Sequence, residues 1–333
     1  MTVRVIVGGW YGDEGKGKIV SSLSLHKQPD IVVRGGVGPN AGHTVVYNGN
    51  EYRLRQLPSG IPYERCRLLI GPGVLVNPEV LIDELRKTEI DPSRLGIDEQ
   101  VGIIEQTHIE KDRRSSHLKE EIETTGTGCG PANAERAMRV LKTAKDIQKL
   151  ERYVIDVPQT LWNAIEREEE IIVEGTQGTF LSLFHGTYPY VTSKDITASA
   201  ICSDVGIGPT FVDEVTLVFK AFVTRVGAGP LKNELKKEEA KKRGWHEIAS
   251  VTGRERRAAP FNFDLAVRAV KLNGATELAL TKLDIVYPEE KGKNKWNALG
   301  EKAKKFVTQI ENRTGVPVKI ISTGPDVKDT IFR

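Results

Sequence analysis

The sequence predicts an α/β protein with a central, mostly parallel β-sheet flanked by helices and smaller peripheral subdomains. Short β-branched or apolar runs recur along the chain, each followed by a Gly- or Ser/Thr-rich loop. Such runs suit buried parallel strands whose ligands gather at the strand carboxyl ends. Segments of helical spacing lie between them, as crossovers require. The first run leads into a glycine-rich loop that opens a helix, the setting of a phosphate-binding loop.

The first strand is Val3–Val7, stopped by Gly8 and Gly9. Lys18–Leu25 reads as the helix that follows. Ile31–Val33 is the second strand, ended by Gly35-Gly36, and Leu68–Ile70 the third, ended by Gly71-Pro72-Gly73. Pro78–Lys87 has helical spacing, with the proline near the start where its missing N–H matters little. Ile171–Val173 runs into Gly175, and Val215–Phe222 reads as one strand ending near Gly227. Phe263–Leu272 fits a crossover helix. Leu278–Leu280 runs into Thr281-Lys282-Leu283-Asp284, and Val318–Ile321 into Ser322-Thr323-Gly324-Pro325. No internal repeat is evident. The expectation is one domain over residues 1–333, a nucleotide-binding core with inserted helical and loop segments.

Of the 333 residues, 39% are hydrophobic and 28% charged, enough for a packed core and a solvated surface. A net charge of +3 does not call for nucleic acid or a membrane surface as partner. Apolar runs fall short of the roughly twenty residues that span a bilayer. Met1–Val7 shows no basic-then-apolar leader, so the expected location is cytoplasmic. Cys66, Cys129 and Cys202 form no metal pattern and read as ordinary small side chains, with Cys129 a lesser candidate for a reactive thiol. Lys232–Arg243 and Glu289–Lys305 are rich in charge and nearly free of aromatics, which favours solvated helix faces over a nucleic-acid patch.

Gly12-Asp13-Glu14-Gly15-Lys16-Gly17-Lys18 carries the phosphate-loop spacing. Backbone N–H groups and the helix N-terminus would face phosphate oxygens, with Lys16 and Lys18 adding charge. The next residue is Ile19, where a metal-binding hydroxyl is usual, and Asp13 places a carboxylate inside the loop. Asp13 therefore becomes a candidate for metal ligation, for chemistry, or for both. A second loop, Gly35–Thr44, offers glycines and one imidazole, His43, able to donate a proton near neutral pH.

Together these loops resemble the adenylosuccinate synthetase family, whose phosphate loop reads like WGDEGKGK and is followed by NAGHT. The second motif stands here as Asn40 to Thr44. The likeness continues through Leu57–Gly60, Thr124-Thr125-Gly126, Gly130-Pro131-Ala132, Glu174–Thr179, His185–Thr192, Thr224–Pro230 and Thr252-Gly253-Arg254, to the Thr281–Asp284 and Ser322–Pro325 segments. It implies a P-loop-NTPase-like fold and a reaction in which GTP, IMP and L-aspartate give adenylosuccinate, GDP and phosphate with Mg²⁺. By the resemblance, Asp13 takes the N1 proton of IMP and approaches Mg²⁺, and Gly42 offers a carbonyl as second metal ligand. His43 assists phosphoryl transfer to O6, Lys16 balances charge, and Gln177 lies near the hypoxanthine ring. Asn40, Ala41, Thr125 and Thr192 surround IMP, which Glu14, Gly15 and Arg254 also approach. Gly12 to Lys18, Gly42, His43 and Thr44 hold the phosphates of GTP. Lys282, Leu283 and Asp284, with Ser322, Thr323 and Gly324, enclose guanine, since a carboxylate accepts from both N1–H and the exocyclic amine. Ser250, Val251, Thr252, Gly253, Arg254, Glu255 and Arg256 resemble the aspartate loop, whose guanidinium groups suit two carboxylates; Arg256 also reaches GTP. Arg139 matches an arginine that crosses a homodimer interface to the neighbour's IMP phosphate.

The pattern departs in three places. Trp10-Tyr11 stands where Gln-Trp is usual, Pro39 replaces a histidine, and the chain is shorter after about Lys142 and between Asp284 and Ser322, like the short archaeal form. A regulatory GTP-binding switch is the alternative, because the phosphate loop and Thr281–Asp284 serve both. A switch needs no arginine loop, however, and usually keeps a hydroxyl where Ile19 stands.

Overall fold

The first strand, Val3–Gly8, is buried at every residue and lies near the middle of a ten-stranded sheet. The computed structural model describes residues 2–249 and 253–333. Across the sheet the order is Thr330–Phe332, Val318–Ser322, Glu277–Thr281, Glu214–Lys220, Val3–Gly8, Ile171–Glu174, Ile31–Arg34, Arg67–Ile70, Leu95–Asp98 and Val154–Ile155. Neighbours are parallel except the first pair, Val318–Ser322 with Thr330–Phe332. Alternation divides the core: Val3, Val5 and Val7 pack on one side and Ile6 on the other. Both faces are covered, which explains apolar runs without polar alternation.

The expected crossover helices are present at Lys16–Lys27, Pro78–Thr88 and Phe263–Asn273. Asn77 and Asn262 cap the last two, their side chains accepting from backbone N–H groups. The charge-rich stretches carry the helices Lys237–Lys242 and Glu301–Thr314. Ala303, Val307 and Ile310 bury one stripe of the longer helix, leaving its charges to solvent. Among the described residues no helix is long and apolar enough to cross a membrane.

One expectation is corrected. Val215–Phe222 is not a single strand. Glu214–Lys220 belongs to the central sheet, whereas Phe222–Val226 joins a small antiparallel sheet with Glu255–Pro260 and Glu247–Ile248. The chain turns at Ala221, whose N–H donates to the Thr281 carbonyl at 2.9 Å. Phe222 then leaves the central core and stacks on Trp245 with 4.9 Å between ring centres. Apolar residues on both sides of the turn hide it from a pattern reading, because two cores are being filled in succession. From the small sheet Arg256 reaches Asp13 in the loop that follows the first central strand.

Candidate active site

The phosphate loop winds around its own carboxylate. Glu14 is fully buried and accepts from the N–H groups of Trp10 at 3.0 Å and Gly12 at 2.9 Å. Lys16 pairs with it at 2.8 Å and also donates to the Gln177 carbonyl. The turn needs left-handed backbone at Gly12 (φ 87°), Asp13 (φ 60°) and Gly15 (φ 86°). Gly17 needs its lack of side chain for another reason: a Cβ there would stand 2.8 Å from the Cβ of His43. That close approach sets the second loop against the first.

His43 is held in a buried group of Arg34, Ser59 and Glu174. Its Nδ1 meets the Glu174 carboxylate, with the Arg34 guanidinium 3.1 Å away. The Ser59 N–H donates to the other Glu174 oxygen at 2.7 Å, and the Ser59 hydroxyl donates to Glu174 as well. Burial, then Arg34, pushes His43 down to about 4. Burial alone would raise Glu174, but His43, Arg34 and Ser59 outweigh it and hold the carboxyl at about 2. At neutral pH the pair is therefore a carboxylate beside a neutral imidazole. A charged Glu174 requires Nδ1 to carry the proton and donate it, which leaves Nε2 as the nitrogen available to the cleft.

That cleft has a volume of about 350 Å³. Gly12, Asp13, Gly15, Lys16 and Gly17 line one wall, Asn40 to Thr44 the next, and Thr125, Gln177, Thr192 and Arg254 close it. Gln177 donates to Asn40 at 3.1 Å, and Asn40 in turn donates to Thr192 at 3.4 Å. Arg254 donates to the Glu123 carbonyl at 2.6 Å, tying the arginine loop to the loop that carries Thr124 and Thr125. Asp13 accepts from Arg256 Nε at 2.8 Å, and Arg256 also reaches Glu247 at 2.7 Å. Cys129 lines the cleft as well, but burial pushes its thiol up to about 11, so it stays protonated and unreactive.

The proposed guanine segments lie behind this cleft and are joined to the phosphate loop. The Thr281 hydroxyl donates to the Glu14 carbonyl at 2.6 Å. Lys18 turns away from the phosphate side: its ammonium donates to Ser322 Oγ at 2.6 Å, to the Gly324 carbonyl and to the Asp329 carbonyl at 2.9 Å. Burial lowers it to about 8 against the pull of Asp329 and Asp284. Asp284 is buried, which raises its carboxyl, and its Oδ1 meets no donor among the described residues. A buried acceptor with no protein partner is open to a donor from water or a ligand.

Several sequence expectations change in kind. The side chains of Glu14 and Lys18 serve the loops rather than the open cleft. Leu283 is fully buried in the core, and Thr323 is also buried and donates to the Lys293 carbonyl at 2.6 Å. Glu255 turns outward to Lys237 and His246. Any ligand contact from Glu14, Leu283 or Thr323 therefore belongs to the backbone. Arg139 is exposed and lies outside the cleft, at the end of the helix Cys129–Met138. Ser250, Val251 and Thr252 fall outside the described residues. Arg34, Glu123 and Glu247 were not picked out by sequence; Arg225, inside the matching Thr224–Pro230 segment but given no role, stands 4.5 Å over the ring of Tyr11, on the cleft wall. Trp10, at the first departure from the family pattern, is a core residue packed on Phe219 and Phe261.

No group of three or more His, Cys, Asp or Glu side chains among the described residues could hold a metal unaided. Asp13 and Gly42 both line the cleft, and a carboxylate with a backbone carbonyl suits a hard cation that takes its other ligands from phosphates and water.

A family model described as adenylosuccinate synthetase matches residues 5–148 and 139–291. The adenylosuccinate synthetase of Methanocaldococcus jannaschii is 54% identical over 99% of this chain and 96% of its own length. That of Pyrococcus horikoshii is 52% identical over 99% of this chain and 98% of its own. Among solved structures, the fully ligated adenylosuccinate synthetase of Plasmodium falciparum superimposes with a TM-score of 0.93 at 25% identity, covering 100% of both chains. The succinoaminodeoxyadenylate synthetase of cyanophage S-2L, bound to dGMP and dATP, shares the fold at 24% identity and a TM-score of 0.82, over 99% of this chain and 95% of its own. The chain belongs to the adenylosuccinate synthetase family. It is a GTP-dependent ligase that joins aspartate to IMP in purine nucleotide synthesis, and the switch alternative is not favoured.

Proposed function

We propose that this family member moves the γ-phosphoryl group of GTP to O6 of IMP and then lets the amine of L-aspartate displace phosphate at C6. The observation that carries the reading is the convergence on one cleft of Asp13 and Lys16 from the phosphate loop with His43 and Gln177 from two other parts of the chain. Asp13 takes the N1 proton, which makes O6 nucleophilic. O6 attacks the γ-phosphorus and GDP leaves. Lys16 balances charge at the transferring group. His43 is neutral before substrates arrive; phosphates beside it raise its basicity, so Nε2 gains a proton and donates to a phosphoryl oxygen. Gln177 is oriented by its bond to Asn40 and faces the hypoxanthine ring. Ala41, Thr125 and Thr192 take the ribose and phosphate of IMP.

The loop backbone at Gly12, Gly15 and Gly17, with Thr44, cradles the phosphates of GTP. Asp284 accepts from guanine, with Lys282 beside it and Ser322 and Gly324 closing the far side. Arg254 and Arg256 take the carboxylates of aspartate with the 250–253 loop, so Arg256 exchanges Asp13 for substrate during the cycle. Asp13 and the Gly42 carbonyl would hold Mg²⁺, which supplies charge neutralisation at the phosphates when bound.

Arg139 is flanked by Met138 and Val140, which are 62% and 65% exposed. Exposed apolar neighbours support a homodimer in which Arg139 reaches the second copy's IMP phosphate. The whole chain acts as one synthetase domain in the cytoplasm, where its nucleotide substrates are. The test uses IMP labelled with ¹⁸O at position 6. The reading expects the label in released phosphate, and label retained in the nucleotide product would refute phosphorylation at O6.

A further inference from the structure

Glu247 lies on the short strand Glu247–Ile248, outside every motif of the sequence and outside the cleft lining. Its carboxylate nevertheless gathers cations from three separate parts of the fold. Oε2 accepts from Lys220 at 2.8 Å and from Arg256 at 2.7 Å, while Oε1 faces Lys282 at 3.7 Å. Lys220 ends a central strand, Arg256 lies on the strand Glu255–Pro260 of the small sheet, and Lys282 precedes the Asp284 helix. Arg256 itself divides between Glu247 and Asp13. A continuous path of charged contacts thus runs from Lys282 through Glu247 and Arg256 to Asp13.

We infer that Glu247 is a positioning residue that sets where Arg256 points and makes that setting depend on Lys282. The inference rests on the assignment of Arg256 to aspartate. The physical reason is competition for one carboxylate. Two oxygens carry a single negative charge, so a cation drawn away from one strengthens the hold on those that remain. A nucleotide that draws Lys282 toward its base frees Glu247 to draw Arg256 off Asp13. The base is then released at the moment when GTP is in place. Lys220 has a different part. It is fully buried, donates also to Thr224 at 2.8 Å, and neutralises the carboxylate from below. Glu247 therefore cannot swing out to solvent without stranding a buried ammonium.

The test measures KM for aspartate, IMP and GTP, with kcat, in the full-length protein and in Glu247→Gln, Lys282→Met, their double variant and Arg256→Lys. Glu247→Gln is expected to raise the aspartate KM about tenfold or more with the IMP KM within about twofold, a split that general loosening of the fold would not give. Lys282→Met is expected to shift the aspartate KM in the native background but not in the Glu247→Gln background, the signature of coupling through the carboxylate. Should Glu247→Gln fail to fold, Lys220→Met with Glu247→Gln removes the stranded ammonium and carries the same expectation. An aspartate KM unchanged in the folded Glu247 variant, while Arg256→Lys raises it, overturns the role of Glu247 alone. An aspartate KM unchanged in Arg256→Lys overturns the Arg256 assignment as well. Equal Lys282→Met effects in the two backgrounds would also overturn the coupling.

Discussion

On the His43 side of the cleft every charge is buried and paired; on the Arg256 side the charges are partly open to water and shared. Arg34 and Glu174 have no exposed side-chain surface, and the Ser59 N–H and hydroxyl complete the carboxylate's bonds. Asp13, by contrast, keeps 27% of its side chain exposed and holds Arg256 together with Glu247. In the first arrangement Arg34 and Glu174, at the ends of adjacent parallel central strands, hold His43 at the start of a two-stranded hairpin. The second hangs on a three-stranded antiparallel sheet whose arginine loop includes residues outside those described. The difference matches the two chemical tasks. Phosphoryl transfer gains from groups that need no reorganisation. On the proposed assignment, admitting aspartate requires the Arg256–Asp13 ion pair to open and re-form around a substrate.

The largest effects are expected at Asp13 and His43. Asp13→Ala and His43→Asn should each lower turnover by about 10³-fold or more, with the circular dichroism spectrum unchanged, because the proposed mechanism gives each a proton-transfer role. Near-normal turnover in either variant refutes its role. Glu174→Gln should lower kcat by about 100-fold, the scale seen when an orienting partner of a reactive imidazole is lost. It should also reduce unfolding free energy by about 3 kcal/mol in urea titrations, because Arg34 then lies buried without its anion. If only stability falls, the group is a structural bridge and not an orienter of His43. Away from both sides, Asp284→Asn should reduce the preference for GTP by about tenfold, the value of one paired base contact. Unchanged nucleotide preference would count against it.

The smallest effect is on stability against pH. Folded His43 titrates at about 4, below its ordinary 6.5. Between those values the unfolded chain binds the extra proton, so stability falls as pH drops through that window. Glu174 is also depressed, from 4.5 to about 2, and adds a further loss below about 4.5. His43→Asn should flatten the upper part of this curve, from about pH 6.5 to 4. A variant curve parallel to the native one there would show that His43 is not the group responsible.

Much of this was legible in the residues. Val3–Gly8 and Ile171–Glu174 are buried on both faces, so their apolar runs end where the strands end, at glycines. The loop from Gly12 to Lys18 could be read because its backbone demands glycine at fixed positions, and Asn40–Thr44 because its residues stand together in one run. What could not be read was direction. Lys16 and Lys18 are two residues apart at the start of one helix, yet one faces the cleft and the other the Ser322–Gly324 loop. Spacing alone does not say which lysine meets which partner, because the partners come from strands far along the chain. Glu174 was visible inside a motif, but its bond to His43 spans 131 positions. Glu247 had no motif at all, since its three cations converge only after the small antiparallel sheet folds against the central one.

The central claim is that the two sides act on one reaction and that neither spends GTP by itself. Phosphate release from GTP by the purified protein, with IMP and aspartate supplied separately and then together, tests this most directly. Sustained release is expected only when all three substrates are present with Mg²⁺. Sustained release from GTP alone would contradict it.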